Sequence, residues 1–210
     1  MTLDYLLSAF VTLAVVVDPI GLAPIFVALT QRVTAAERTG IALRTCLISA
    51  AILVGFALAG QWFIAQLGIS LSAFRIAGGL LLFAIASEMV FERRTERQAR
   101  TAEQAAAEHQ AQQHLAVFPL AIPLTAGPAA ITATLLLAGQ ADGRPLLVAA
   151  LLGIIVLVIA LCFVVFFFAG RIAHVLGTTG SLVLSRLLGI VLAALAVQYV
   201  IDGVKTAFLT

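Results

Sequence analysis

Two apolar stretches of this chain are each long enough to cross a bilayer, and each is interrupted in the same way. The first contains Val15-Val16-Val17-Asp18-Pro19-Ile20-Gly21-Leu22-Ala23-Pro24-Ile25-Phe26, inside an apolar run over 3–29. The second reads Phe118-Pro119-Leu120-Ala121-Ile122-Pro123-Leu124-Thr125-Ala126-Gly127-Pro128-Ala129-Ala130-Ile131. Pro123 follows Pro19 by 104 residues, and Pro128 follows Pro24 by the same 104. A helical span needs about 20 apolar residues, which both runs supply. Proline removes a backbone donor and disrupts a helix that runs through it. Broken backbone at membrane depth survives only where protein buries it or where it lines a cavity. Interrupted segments at corresponding places in two halves therefore point to a transporter's substrate site.

The rest of the composition agrees with a membrane setting. Of the 210 residues, 62% are hydrophobic and only 10% charged, against about 25% charged in soluble domains. Mean hydropathy is +1.14. A net charge of +2, spread over several loops, gives no footprint for nucleic acid. Cys46 and Cys162 lie in apolar runs and read as small buried hydrophobes, not as a disulfide framework. The start, Met1-Thr2-Leu3-Asp4-Tyr5, has no basic region before its apolar run, so the first span is expected to be retained and not cleaved.

Hydropathy gives six spans, over about 3–30, 42–65, 73–91, 115–138, 145–169 and 182–204. The expected class is an all-α membrane protein of two inverted three-helix repeats, with the first and fourth helices broken at mid-membrane. Residues 1–91 make the first repeat, 92–114 a cytoplasmic polar linker, and 115–210 the second repeat. Arg75-x-x-Gly78 opening the third span matches Arg186-x-x-Gly189 opening the sixth, and Ala59-Gly60 matches Ala169-Gly170. Three spans per half make the second half enter from the opposite side. The linker is rich in good helix formers, with Glu96 and Arg100 at the favourable i,i+4 spacing. It is expected to extend the third span and return through solvent, with His109 and His114 as solvated linker residues. Nine arginines (Arg32, Arg38, Arg44, Arg93, Arg94, Arg97, Arg100, Arg171 and Arg186) flank one side; Arg75, Arg144 and Lys205 flank the other. The positive-inside rule makes the first side cytoplasmic and puts both termini outside.

The breaks carry the chemistry. A helix restarting near Pro24 or Pro128 presents unpaired amides and a dipole that attract an anion such as an amino acid's carboxylate. Unwound carbonyls and Asp18 suit an ammonium group or a coupling H⁺ or Na⁺. An aspartate at the bilayer centre costs about 2.5–3.5 kcal/mol on insertion scales, so its presence asks for a role. Contact with ligand and capping of the following half-helix are both open to it. The candidate site is Asp18, Pro19, Gly21, Pro24, Pro123, Thr125, Gly127 and Pro128, with Thr132 and Thr134 more often helix-to-helix bonds. Glu88 and Asp202 read as interfacial. Arg75 and Arg186 read as snorkelling anchors, with gate ion pairs as the alternative. Gly78, Gly79 and Gly189 read as packing positions, and Phe163, Phe166, Phe167 and Phe168 as packing or lipid-facing. No His-Glu-x-x-His, no Ser/His/Asp set and no Cys/His metal spacing is present, so an enzyme, a cofactor and a metal are not expected. Small-residue faces allow a homo-oligomer or internal packing equally.

The Asp18-Pro19-Ile20-Gly21-x-x-Pro24-Ile25-Phe26 segment, with Ala28-Leu29-Thr30, resembles the first signature of the MarC family. Ile122-Pro123-Leu124-Thr125-Ala126-Gly127-Pro128 resembles its second, and the Arg75-x-x-Gly78-Gly79 start of the third span agrees. The resemblance implies six spans, an inverted repeat and a bacterial inner-membrane location. It also implies kinship with transporters of small neutral amino acids, glycine and alanine among them, and more distantly with LysE-type exporters. The expected partners are thus a small zwitterionic solute and membrane lipid. Leu22 stands where the family often has Asn, and Ala129 where it often has Gly; both departures bear on the substrate and not on the fold. The alternative is a channel or lipid-handling protein with broken helices, or a broad-specificity exporter.

Overall fold

The computed structural model describes residues 2–31, 33–108, 115–141 and 143–208. Arg32, His109 and His114 lie outside the described residues. The elements are α1 (Thr2–Val17), α2 (Pro19–Leu29), α3 (Ala35–Gln66), α4 (Leu71–Val90), α5 (Arg93–Glu108), a wide-turned segment (Ala116–Thr125), α6 (Pro128–Ala141), α7 (Pro145–Phe167) and α8 (Ala169–Phe208). No strand occurs among the described residues. Five stretches are long and apolar enough to span: Leu3–Leu29, Ala35–Gln66, Leu71–Val90, Pro145–Phe167 and Thr179–Phe208. The wide-turned segment and α6 make a sixth if the bent pair counts as one span. α8 is longer than the expected sixth span because it begins at Ala169 and kinks at Gly177 (φ 61°, ψ −175°), leaving a short helix before the spanning part.

Local signals set the helix starts. Thr34 and Glu37 form a reciprocal capping box at the start of α3, with Thr34 N donating to Glu37 Oε2 at 2.8 Å. Ser70 caps α4 by accepting from Ala73 N at 3.2 Å. Pro145 occupies the first turn of α7, where its missing donor costs nothing.

Packing is built on close backbone approach, as expected where lipid removes the hydrophobic drive between helices. α4 and α8 run antiparallel. A Cβ on Gly79 would lie 2.8 Å from Ala196 O, one on Gly189 3.1 Å from Ala86 O, and one on Gly203 3.0 Å from Ser72 O. Phe26 of α2 stacks on Phe166 of α7 with centroids 4.5 Å apart and planes 4° from parallel, both rings fully buried. Phe167 and Phe168, by contrast, are exposed, as are Leu47, Trp62, Leu157 and Ile190. Such a large apolar outer surface is out of place in water and matches hydrocarbon.

The polar segment after α4 departs from the expected solvent-exposed return. Glu92 adopts a positive φ of 64°, and α5 then packs back against α2 and the wide-turned segment. Arg94 and Gln98 are buried by that contact. Glu96 and Arg100 form no ion pair among the described residues. Arg97 instead pairs with Glu88 at 2.8 Å and so ties α5 to the end of α4. Arg186 is ion-paired with Glu92, which ties the α4–α5 turn to α8.

Candidate functional site

The first interruption is one residue wide. α1 ends at Val17, Asp18 takes the left-handed conformation (φ 50°, ψ 61°), and α2 begins at Pro19. The restart expected near Pro24 therefore lies five residues earlier, and Pro24 sits inside α2. The reason is capping. Asp tolerates the left-handed region better than most residues; here its Oδ1 accepts from Gly21 N at 3.1 Å, and Pro19 fills the first helical position. A Cβ on Gly21 would overlap the Asp18 carboxylate, so the absence of a side chain there belongs to the cap. Asp18 Oδ2 accepts from Ser185 Oγ of α8 at 3.2 Å. Asp18 is only 4% exposed, so both interactions lie out of solvent.

The break also frees carbonyls at the end of α1, because the helical ladder stops at Asp18: Pro19 has no N–H for Val15 O, and Ile20 already belongs to the first turn of α2. Val16 O is taken by Arg94 Nη2, reaching in from α5. Arg94 Nη1 donates to Met89 Sδ at 3.0 Å. Burial pushes the Arg94 guanidinium down from its ordinary range, and the nearby Asp18 charge opposes that.

The second interruption is longer and more open. The wide-turned segment has backbone bonds five residues apart, with Leu120 N donating to Leu115 O at 3.3 Å and Ala126 N to Ala121 O at 2.8 Å. Phe118 (φ −129°, ψ 126°) and Ile122 (φ −122°, ψ 121°) are extended, each preceding a cis proline. Thr125, buried, donates to Leu120 O at 2.8 Å, and Thr45 Oγ1 of α3 donates to Ala116 O at 3.2 Å. Side-chain hydroxyls thus satisfy carbonyls that the irregular winding leaves free. The chain bends by 55° before α6 starts at Pro128. A Cβ on Gly127 would overlap Pro123 O, so the bend needs glycine there.

A cavity of about 410 Å³ opens beside this bend. Pro123, Thr125, Gly127, Pro128 and Ala129 line one wall; Val16 of the first break lines another, and Arg94, Gln98 and Thr101 of α5 face them. The volume falls in the range of roughly 300–1,000 Å³ common for small-molecule sites. Of the residues expected from sequence, Pro123, Thr125, Gly127 and Pro128 border the cavity. Asp18, Pro19, Gly21 and Pro24 are not among its lining residues; Asp18 and Gly21 instead form the packed cap behind Val16. Thr134 donates to Ala130 O at 2.7 Å within its own helix.

Sequence reasoning missed Arg94, Gln98 and Thr101 as site residues. They stand at i, i+4 and i+7 and share one helical face. That spacing was readable. Which face of a helix this polar turns inward was not, because polar residues occupy its other faces too. Among the described residues, no group of three or more His, Cys, Asp or Glu is placed to hold a metal.

Known proteins place the whole chain. The family model described as MarC family integral membrane protein matches residues 3–208. The UPF0056 membrane protein MJ1677 of Methanocaldococcus jannaschii is 35% identical over 211 residues, covering 100% of both chains. The UPF0056 membrane protein YvbG of Bacillus subtilis is 34% identical, covering 99% of this chain and 98% of its own. The UPF0056 membrane protein YhcE of Escherichia coli is 32% identical, covering 95% and 91%. No solved structure matches the chain. With a family match over nearly its full length and relatives that align end to end, this multi-pass membrane protein belongs to the MarC family.

Proposed function

We propose that the protein is a secondary transporter of small neutral amino acids, glycine- or alanine-like, working by alternating access in the bacterial inner membrane. The observation that carries the reading is the cavity at the junction of the two interrupted spans, bordered by the start of α6 and by Val16 of the first break. The free amides at the α6 start take the substrate carboxylate. Asp18 is packed behind Val16 and outside the cavity lining, and in this reading its negative charge acts through that wall on the ammonium group or on a coupling H⁺ or Na⁺.

Two inverted three-helix repeats, 1–91 and 115–210, joined through 92–114, fit this reading. Support comes from the antiparallel packing of α4 on α8, the third and sixth spans. In this scheme the α5 side is cytoplasmic and both termini are periplasmic, by the excess of arginine on that side.

The test is counterflow in proteoliposomes loaded with unlabelled alanine or glycine. Labelled amino acid is expected to accumulate transiently against its gradient. Absence of amino acid movement under any imposed H⁺, Na⁺ or substrate gradient overturns the proposal. Continuous conductance without counterflow replaces it with a channel.

A further inference from the structure

α5 brings two polar side chains to the cavity wall, Arg94 with donors to spare and Gln98 with no partner among the described residues. Arg94 is 5% exposed. Its hydrogen bonds go to a backbone carbonyl and a thioether, and it makes no ion pair among the described residues. A guanidinium carries five N–H donors, so most of its capacity is unused. One turn on, Gln98 is 9% exposed, lines the same cavity, and has no hydrogen-bond partner among the described residues. Both side chains face the start of α6, where Pro128 fills the first position and Ala129 and Ala130 border the cavity. The carboxylate of Glu88 lines the same cavity and is engaged there by Arg97, which lines it too.

We infer that Arg94 and Gln98 complete an anion subsite with the first amides of α6, and that its ligand is the carboxylate of a small solute. The inference rests on the transporter reading for the ligand's identity, and on geometry alone for its charge. Three sources of donors converge: a fixed positive charge, an amide side chain and a helix start. A planar guanidinium suits a two-oxygen anion better than an ammonium would. The α6 start by itself would select no particular anion. The guanidinium, already near the Asp18 carboxylate, keeps free N–H donors for a second anion, and Gln98 adds a neutral donor beside it. Ala129 borders the space above the amides, so a larger residue there would take the ligand's place.

The experiment measures the melting temperature of the purified full chain in micelles against alanine, propionate and alaninamide. Alanine and propionate carry the carboxylate; alaninamide lacks it. Alanine or propionate is expected to raise the melting temperature of the wild type, with alaninamide inert. Arg94→Gln is expected to weaken the response by about tenfold or more, the scale of a charge-assisted hydrogen bond. Arg94→Lys keeps charge without the planar fork and is expected to fall between. Ala129→Leu leaves Arg94 in place and is expected to abolish the response, which covers the case where Arg94→Gln does not fold. A purely structural Arg94 would lower the starting melting temperature and leave the ligand-induced shift unchanged, which overturns the inference. So does a wild type that responds to no carboxylate, or equally to alaninamide. Counterflow on the same samples separates the two readings. Arg94-dependent propionate binding without alanine exchange leaves the subsite standing and removes the transporter. Alanine exchange undiminished in Arg94→Gln does the reverse.

Discussion

The two interruptions stand at aligned positions, yet they are built on opposite principles. At the first, Asp18 is left-handed, buried and doubly hydrogen-bonded, and the helix resumes at the next residue. At the aligned position of the second, Ile122 is extended and 44% exposed, and the chain takes several more residues and a 55° bend before α6 begins. The first break is repaired by its own carboxylate. The second uses a hydroxyl from Thr45 of α3 and one from its own Thr125, and leaves open space beside it. A residue that caps its own helix closes the backbone locally, so little room remains for a ligand. A break that spreads over several irregular residues keeps an open side. The contrast assigns them different work: the first positions Val16 and a charge, and the second forms the cavity wall.

The contrast can be broken by substitution, and Gly127→Ala is expected to do the most harm. Its Cβ would collide with Pro123 O, which is backbone and cannot rotate away. We expect a loss of about 4 kcal/mol or more, in the range reserved for enforced backbone strain and overpacking. Denaturant titration in micelles reads it; a loss below about 1 kcal/mol would mean that the bend tolerates a side chain.

Asp18 comes next. Asp18→Ala removes the cap, worth about 1 kcal/mol, and puts alanine in left-handed backbone at about 1–2 kcal/mol. The same titration should then show about 2–3 kcal/mol lost. Asp18→Asn keeps the acceptor and the tolerance for that backbone, and should cost less than half as much. Equal losses for the two variants would instead make the negative charge near Arg94, and not the cap, the main contribution of Asp18.

The smallest effect is expected at Pro24. Because α2 starts at Pro19, alanine at 24 can donate the helical hydrogen bond that proline lacks. Pro24→Ala should shift stability by less than about 1 kcal/mol and leave counterflow within about twofold, a margin of about 0.4 kcal/mol. A loss of transport with unchanged stability would return Pro24 to the site.

Much of this was legible in the residues. The apolar runs and the small residues on α4 and α8 give an all-helical membrane protein, and the structure has five or six candidate spans. The positions of the α1–α2 and α6 boundaries differ in how well they could be read. Pro128 starts α6 as expected, because Gly127 and Pro128 together specify a bend and a first turn. Pro24 and Pro19 are both acceptable first-turn residues, and the choice between them fell to Asp18. Its side chain caps at the earlier position, a competition that proline counting does not weigh.

The sequence alone determined the membrane class and the approximate places of the apolar runs, because hydropathy acts within a few residues. The tertiary structure decided what each interruption became. Freed backbone groups must be satisfied by whatever packs beside them, and those partners come from distant parts of the chain: Arg94 for Val16 and Thr45 for Ala116. The fate of α5 was decided in the same way. Its residues are polar on several faces, and packing against α2, α4 and the wide-turned segment turns the face with Arg94 and Gln98 into the wall of a cavity.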